Sequence, residues 1–520
     1  MGTEHCKRNI ANFLRQGIPG LLLPFCGFQA QSQTILDKHT LHEIRITTVE
    51  EHWFDSLQVY FDRALNGAGQ QFLPATIIAD SDTLHEVGFR FKGKYSNYGF
   101  PGKKKPFRLD FNKFEKGQHL QGLKKLNLHN LAGDPSFLRE FMAYDLFAYL
   151  GIAVPRVSFT KLYINNEYWG CYEIVEEPDK VFLEHNFHNK NGNLFECVKT
   201  SSLSWKGHSA ANYPELELKT DSTSTSWEHL IGWLDLFNHY YTFDYSQQLA
   251  ERFDMDSYMR ILAADVLINN QDAYWSNGRN YFIYDDIDQG KLRWIPWDYN
   301  LSFWEASHAP IPVHTGNIYQ PFIYRIFENE YLKKSYYTQF CKLIGNEFSD
   351  YPFEERSQEM YTLIRQAVEE DPNKFYSTAG FYANRTQAVT VSMLRNNVPT
   401  DVNLPGLTEL FARRRNELRK ALFASGCDCD DLKESVELEG VLFPNPATES
   451  VTIYIEDKLN TPVASPRIQL SDINGKLLYD QRETAVAGSF HVDISALNPG
   501  IYFVHLEAAG KSFTRKLIKQ

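Results

Sequence analysis

Residues 269–300 read NNQDAYWSNGRNYFIYDDIDQGKLRWIPWDYN, and the organisation of the chain follows from this stretch. Two short apolar and aromatic runs, 281–284 and 292–297, flank the turn-rich segment 285–290, a pattern that predicts a β-hairpin. A hairpin returns the chain to its start. The loop carrying Asp272, Asn277 and Asn280 is therefore expected beside the end of the second strand, where Asp298 and Asn300 stand. Carboxylates and amides gathered at one sheet edge are what a divalent metal and a phosphate group require: hard oxygen ligands on rigid strands, with one carboxylate free to take a proton. Taken singly, Asp272 reads equally well as a loop cap and Asp298 as a turn former.

Upstream, residues 41–48 alternate as a strand, 49–65 carry helical spacing, and strands follow at 72–78 and 87–92. Residues 89–114 (FRFKGKYSNYGFPGKKKPFRLDFNKF) read as strand, glycine-containing turn and strand. Lys103, Lys104, Lys105 and Arg108 stand at the start of that second strand, after a loop of small residues whose backbone N–H groups can hold polyphosphate. Strand alternation points only one of Lys104 and Lys105 inward. A solvated basic hairpin is the plain alternative. Residues 124–130 (KKLNLHN) form a strand leading to Asp134 as N-cap, Pro135 in the first turn and a helix over 137–150. Glu140 in that first turn suits the helix dipole and is also placed to pair with a strand lysine. A hairpin over 157–164 and 168–175 ends at Glu176 and Glu177, where the chain crosses to a helix at 181–187. Further helices are predicted at 227–240, 255–268, 321–348, 353–369 and 406–423, the last with Arg413, Arg414 and Arg415 on a solvated face.

The length of 520 residues predicts two or more domains, and 43% hydrophobic content is that of a folded chain. The net charge of -12 argues against a nucleic-acid surface, which needs a basic field. Lys7, Arg8 and Arg15 precede an apolar run, 17–28, too short to span a bilayer, with Ala30 as a cleavage point; residues 1–30 thus read as an export signal. No transmembrane segment is expected in the mature chain. Cys6 and Cys26 would leave with the signal, Cys171, Cys197 and Cys341 are expected as buried thiols, and Cys427 and Cys429 fall in an acidic linker, 425–440.

FRFKG, KKPFRLDFNKF, KKLNLHN with DPSFLRE, KLYINNEYWGCYEIVEEPDK, NNQDAYWSNGRNYFIYDD and WIPWDYNLSF occur in an order that resembles the spore coat protein H (CotH) kinase family over residues 41–424. The resemblance implies an α+β, two-lobed atypical protein-kinase-like domain that uses ATP and Mg²⁺ or Mn²⁺. By position it makes Asp272 the catalytic-loop carboxylate and Asp298 the metal-binding aspartate of the D-F-G type. It puts Lys104 or Lys105, with Arg108, Glu140 and Glu176, on the nucleotide side. Kinase spacing makes Asn277 the second metal ligand, whereas family members place an Asn immediately before the aromatic strand, here Asn280; the aromatic strand favours Asn280.

From residue 441 short alternating strands broken by Asn474-Gly475, Pro499-Gly500 and Gly510 predict a small all-β sandwich over 441–520. FPNPA, DINGK and ISALNPGIYFVHL before KLIKQ make it similar to the C-terminal sorting domain of the bacterial type IX secretion system. That implies export through the periplasm to the medium or outer-membrane surface of a Gram-negative, Bacteroidetes-like bacterium, with the secretion machinery as a partner. Together the two resemblances imply a secreted kinase acting on Ser or Thr of an extracytoplasmic or surface protein. The alternatives are a degenerate kinase fold serving as a surface scaffold, and a metal-dependent phosphohydrolase using the same carboxylates.

Overall fold

The structure is a computed structural model describing residues 34–220, 226–239, 245–304, 320–345, 348, 350–395, 398–424, 429, 439–456, 467–482, 489–508 and 511–520. The expected export signal, with Cys6, Cys26 and Ala30, lies outside the described residues, as do most of the acidic linker and Cys427. Alternating strands near the start of the described chain close a barrel. These are β1 (Leu41–Thr47), β2 (Leu73–Ala79), β3 (Asp82–Phe91), β4 (Phe107–Asp110), β5 (Lys125–His129), β6 (Val157–Ile164) and β7 (Glu167–Glu176), in the order β1-β2-β3-β4-β5-β7-β6. The parallel pairing of β1 with β6 completes the ring, which removes both sheet edges.

Alternation turns Ile44, Ile46, Ile77, Phe89, Phe107 and Leu128 inward, and the helix Trp53–Leu65 adds Trp53, Leu57 and Phe61 to the same core. Each such side chain contributes roughly 1.5–3 kcal/mol by leaving water. The same alternation leaves Arg90, Lys92, Arg108, Asn127 and His129 on the opposite face. Register sets Arg90 across from Arg108, Arg108 across from Asn127, and His129 across from Glu173. On that side the helix Arg139–Tyr149 joins the barrel to a larger helical core.

A second sheet, ordered β11-β10-β8-β9, contains β8 (Leu194–Cys197), β9 (Leu216–Leu218), β10 (Tyr281–Asp286) and β11 (Lys291–Pro296). The expected hairpin is β10–β11, with Tyr281 opposite Pro296 and Asp286 opposite Lys291. At its open end the Trp297 N–H donates to the Asn280 carbonyl at 3.2 Å. Beyond residue 439 a three-stranded and a four-stranded sheet share a core that includes Val451, Ile453, Ile468, Leu470 and Val504. The chain is thus a mixed α and β protein with additional sheets at its C-terminus, and no helix among the described residues is long and apolar enough to cross a membrane.

Several local expectations are corrected. The helix predicted from residue 137 starts at Arg139, because Phe137 takes φ 62; Asp134 instead accepts from the Ser136 N–H at 2.9 Å and the Arg139 N–H at 2.7 Å. The helix predicted over 321–348 is two, Pro321–Glu328 and Glu330–Gly345, separated by Asn329 in extended conformation. Arg414 does not lie on a solvated face: it is buried and donates to the Val266 carbonyl at 2.8 Å. Cys341 is not a free thiol but forms a disulfide with Cys429, whereas Cys171 and Cys197 are free and buried as expected.

Candidate active site

The loop entering β10 owes its length to one helical turn, Tyr274–Asn277, that stops at Gly278. Gly278 has φ 64, and a Cβ there would sit 2.7 Å from the Ser201 carbonyl oxygen, so both conformation and space exclude a side chain. The turn brings two amides onto one carboxylate: Asn277 Nδ2 donates to Asp272 Oδ1 and Asn280 Nδ2 to Asp272 Oδ2, each at 3.0 Å. With their amide nitrogens so used, the Oδ1 atoms of Asn277 and Asn280 receive no protein donor among the described residues. These amide oxygens and the Asp298 carboxylate are hard donors of the kind that could hold a small divalent ion.

Asn280 and Asp298 both occupy the left-handed region, at φ 63 and 57. Such conformations cost on the order of 1–3 kcal/mol and persist where neighbours impose them. Here the Asp298 N–H donates to the Tyr144 hydroxyl at 3.1 Å, and the next N–H, of Tyr299, donates to Glu140 Oε1 at 3.2 Å. The helix Arg139–Tyr149 therefore sets the loop that presents Asp298.

Between the barrel face and this loop lies a cleft bordered by Lys92, Ser96, His129, Asp134, Glu140 and Asp298. Lys92 Nζ lies 2.7 Å from His129 Nε2, and His129 Nδ1 lies 2.7 Å from Glu140 Oε2. Lys92 Nζ also stands 5.2 Å from the centroid of the Trp297 ring. Burial first, then the nearby Glu140, pushes the Asp298 carboxyl up to about 6, with His129 and Lys92 opposing; burial and the neighbouring Arg108 bring Lys92 down to about 8.

A carboxyl raised from 3.8 to about 6 on folding stabilises the metal-free chain while it is protonated, and that stability is lost as pH rises through about 6. Asp298→Asn, neutral throughout, is therefore expected to melt above the parent near pH 7.5, with the gap closing below about pH 4. Thermal melts in chelator at the two pH values check this. A gap of the same size at both would show that the Asp298 charge is not its source.

A family model described as CotH kinase protein matches residues 89–399. The chain belongs to the CotH kinase protein family. A second model, described as secretion system C-terminal sorting domain, matches residues 441–520 and indicates export. The inner spore coat protein H of Bacillus subtilis (strain 168) is 25% identical over 284 residues, covering 52% of this chain and 75% of that protein. Invasin CotH3 of Rhizopus delemar is 22% identical over 268 residues, covering 48% of this chain and 44% of its own length. Invasin CotH7 of the same fungus is 20% identical over 195 residues, which is 36% of this chain and 32% of that protein. The chain thus spans less than half the length of these two fungal CotH relatives.

Of the residues expected at the site, Asp272, Asn277 and Asn280 form one cluster, while Asp298 and Glu140 meet at the cleft. Lys104, Lys105 and Glu176 are engaged elsewhere, and Arg108, on the barrel face beside Lys92, is paired. Lys104 is fully buried in an ion pair with Asp371, beside the rings of Phe137 and Tyr172. Gly170 makes that pair possible, since a Cβ there would lie 2.5 Å from Asp371 Oδ1. Lys105 donates to the Asn97 carbonyl at 2.6 Å and so closes its own loop. Glu176 is held by Arg156, with the closest contact at 2.6 Å, and Arg108 pairs with Glu177. The cleft lysine is Lys92, which sequence reading passed over together with His129 and Tyr144. Its signal was present in FRFKG, where Phe89 and Phe91 facing the core put Lys92 on the other face.

Removing Lys104 should act on stability and not on ligand binding. Lys104→Met leaves the Asp371 charge buried and unpaired, a loss of about 3–5 kcal/mol that denaturant unfolding would register. An unchanged midpoint with weakened nucleotide binding would return Lys104 to the phosphates.

Proposed function

We propose that the chain is an exported, two-lobed, kinase-like enzyme that transfers the γ-phosphoryl group of ATP to Ser or Thr of an extracytoplasmic or surface protein. The observation that carries this reading is the placing of two carboxylates at the open end of one hairpin, Asp272 held by Asn277 and Asn280, and Asp298 facing a cleft that also holds Lys92. Membership of a family described as kinase protein supports it, and relatives named as spore coat and invasin proteins fit a surface-facing role.

In this reading Asp298, with Asn280 or Asn277, holds Mg²⁺ or Mn²⁺, which when bound neutralises phosphate charge. Lys92 supplies a point charge to the phosphates, in the place expected of Lys104 or Lys105. Asp272 orients the acceptor hydroxyl and takes its proton as the new O–P bond forms and the β,γ-bridging bond breaks, releasing ADP. The amide clamp matters because it fixes a carboxylate that would otherwise rotate.

Labelled ATP with Mg²⁺ or Mn²⁺ and the purified chain tests the reading. Label on the chain itself or on a co-secreted protein supports it. Neither nucleotide binding nor labelling would make the fold a surface scaffold, and free phosphate without protein labelling would make it a phosphohydrolase.

A further inference from the structure

Kinase-like sites place a lysine directly on a helix glutamate. Here an imidazole stands between them. A lysine ammonium carries no lone pair, so it donates to His129 Nε2, and the remaining ring proton, on Nδ1, is donated to Glu140 Oε2. A carboxylate behind one ring nitrogen, with the other nitrogen's lone pair turned outward, is the arrangement that prepares a histidine to ligate a metal.

One ligand atom each of His129, Glu140 and Asp298 lies within 4.8 Å of the other two, with Glu140 buried and the His129 side chain 11% exposed. Lys92 has no carboxylate within 4 Å among the described residues; its nitrogen rests on His129 alone, over the Trp297 ring. The ammonium thus fills the position that a cation would take against the imidazole.

We infer that His129 Nε2 and the Asp298 carboxylate, backed by Glu140, form a nitrogen-containing cation site with two alternative occupants, the Lys92 ammonium and a borderline divalent ion such as Co²⁺ or Zn²⁺. An imidazole donor favours such ions over Mg²⁺, which prefers oxygen ligands throughout. Exchange of the occupants frees Lys92, so metal loading and the lysine's grip on an anion are coupled. The inference shares Asp298 with the proposed phosphoryl transfer but does not need transfer to occur.

The test is Co²⁺ titration of the full chain without nucleotide, followed by visible ligand-field absorption, with Mg²⁺ titrated by calorimetry. The parent should show a Co²⁺ band. His129→Gln should lower Co²⁺ affinity by at least roughly 10–100-fold, the scale of losing even an outer-sphere partner, and leave Mg²⁺ affinity unchanged. Lys92→Met, which removes the competing ammonium, should bind Co²⁺ several-fold more tightly. Parent-like Co²⁺ affinity in His129→Gln, or no gain in Lys92→Met, would overturn the site; the second variant keeps the test decisive if the first folds poorly. Phosphoryl transfer with Mg²⁺ alongside His129-independent Co²⁺ binding would remove this inference alone, whereas His129-dependent binding without transfer would remove only the proposed function.

Discussion

Replacing Asp298 with alanine is expected to abolish metal-dependent nucleotide binding. Asp298 borders the cleft and, in the proposed reading, is a direct metal ligand, so its loss should exceed the roughly 10–100-fold that an outer-sphere partner costs. The backbone should hold, because the Tyr144 hydroxyl and Glu140 grip the N–H groups of residues 298 and 299 and not the side chain that is removed. Alanine at φ 57 is nevertheless strained, and Asp298→Asn, which tolerates the left-handed region, is the matched control. A fluorescent ATP analogue titrated with Mg²⁺ and then with chelator gives the readout. The parent should lose affinity in chelator, and both variants should bind equally weakly in either. Magnesium-dependent binding that survives in both would remove Asp298 from the metal site.

Asp272 should fail differently. In Asp272→Ala the carboxylate goes, but the two asparagines that donate to it stay in place, so nucleotide affinity should change little. Transfer should fall by about 10²–10⁴-fold, the range that a positioned general base contributes. Steady-state labelling, with kcat and the KM for ATP read separately, distinguishes the two carboxylates. A parallel loss of ATP affinity would put Asp272 among the nucleotide contacts, and unimpaired transfer would exclude it from the chemistry.

The hairpin was legible because its information is local. Aromatic alternation, a turn of Asp and Gly, and polar residues at both ends are all contained in residues 269–300, and the open end closes as that pattern predicts. The burial of Lys104 was not legible, because Lys103, Lys104 and Lys105 precede β4, which begins only at Phe107. The chain is still in its loop at Lys104, and the residue that decides where its side chain goes, Asp371, lies 267 positions away. No local pattern carries that distance. The same holds for Arg414, which reaches Val266, and for barrel closure, which depends on β1 meeting β6 more than a hundred residues later. His129 was legible in principle, since KKLNLHN buries Leu126 and Leu128 and leaves Asn127 and His129 on the shared polar face.

The Cys341–Cys429 bond has a bearing on how the chain travels. It ties the region just past the helix Leu407–Ala424 back to the helix Glu330–Gly345, a closure of 88 residues, and it stands ahead of the C-terminal sheets. Such bonds form in oxidising compartments, so for a chain exported through a periplasm the knot would be tied before the outer membrane is crossed. The cargo would then pass as a finished, cross-linked body, and any cut that frees it from the sorting sheets would leave its last helix fastened down.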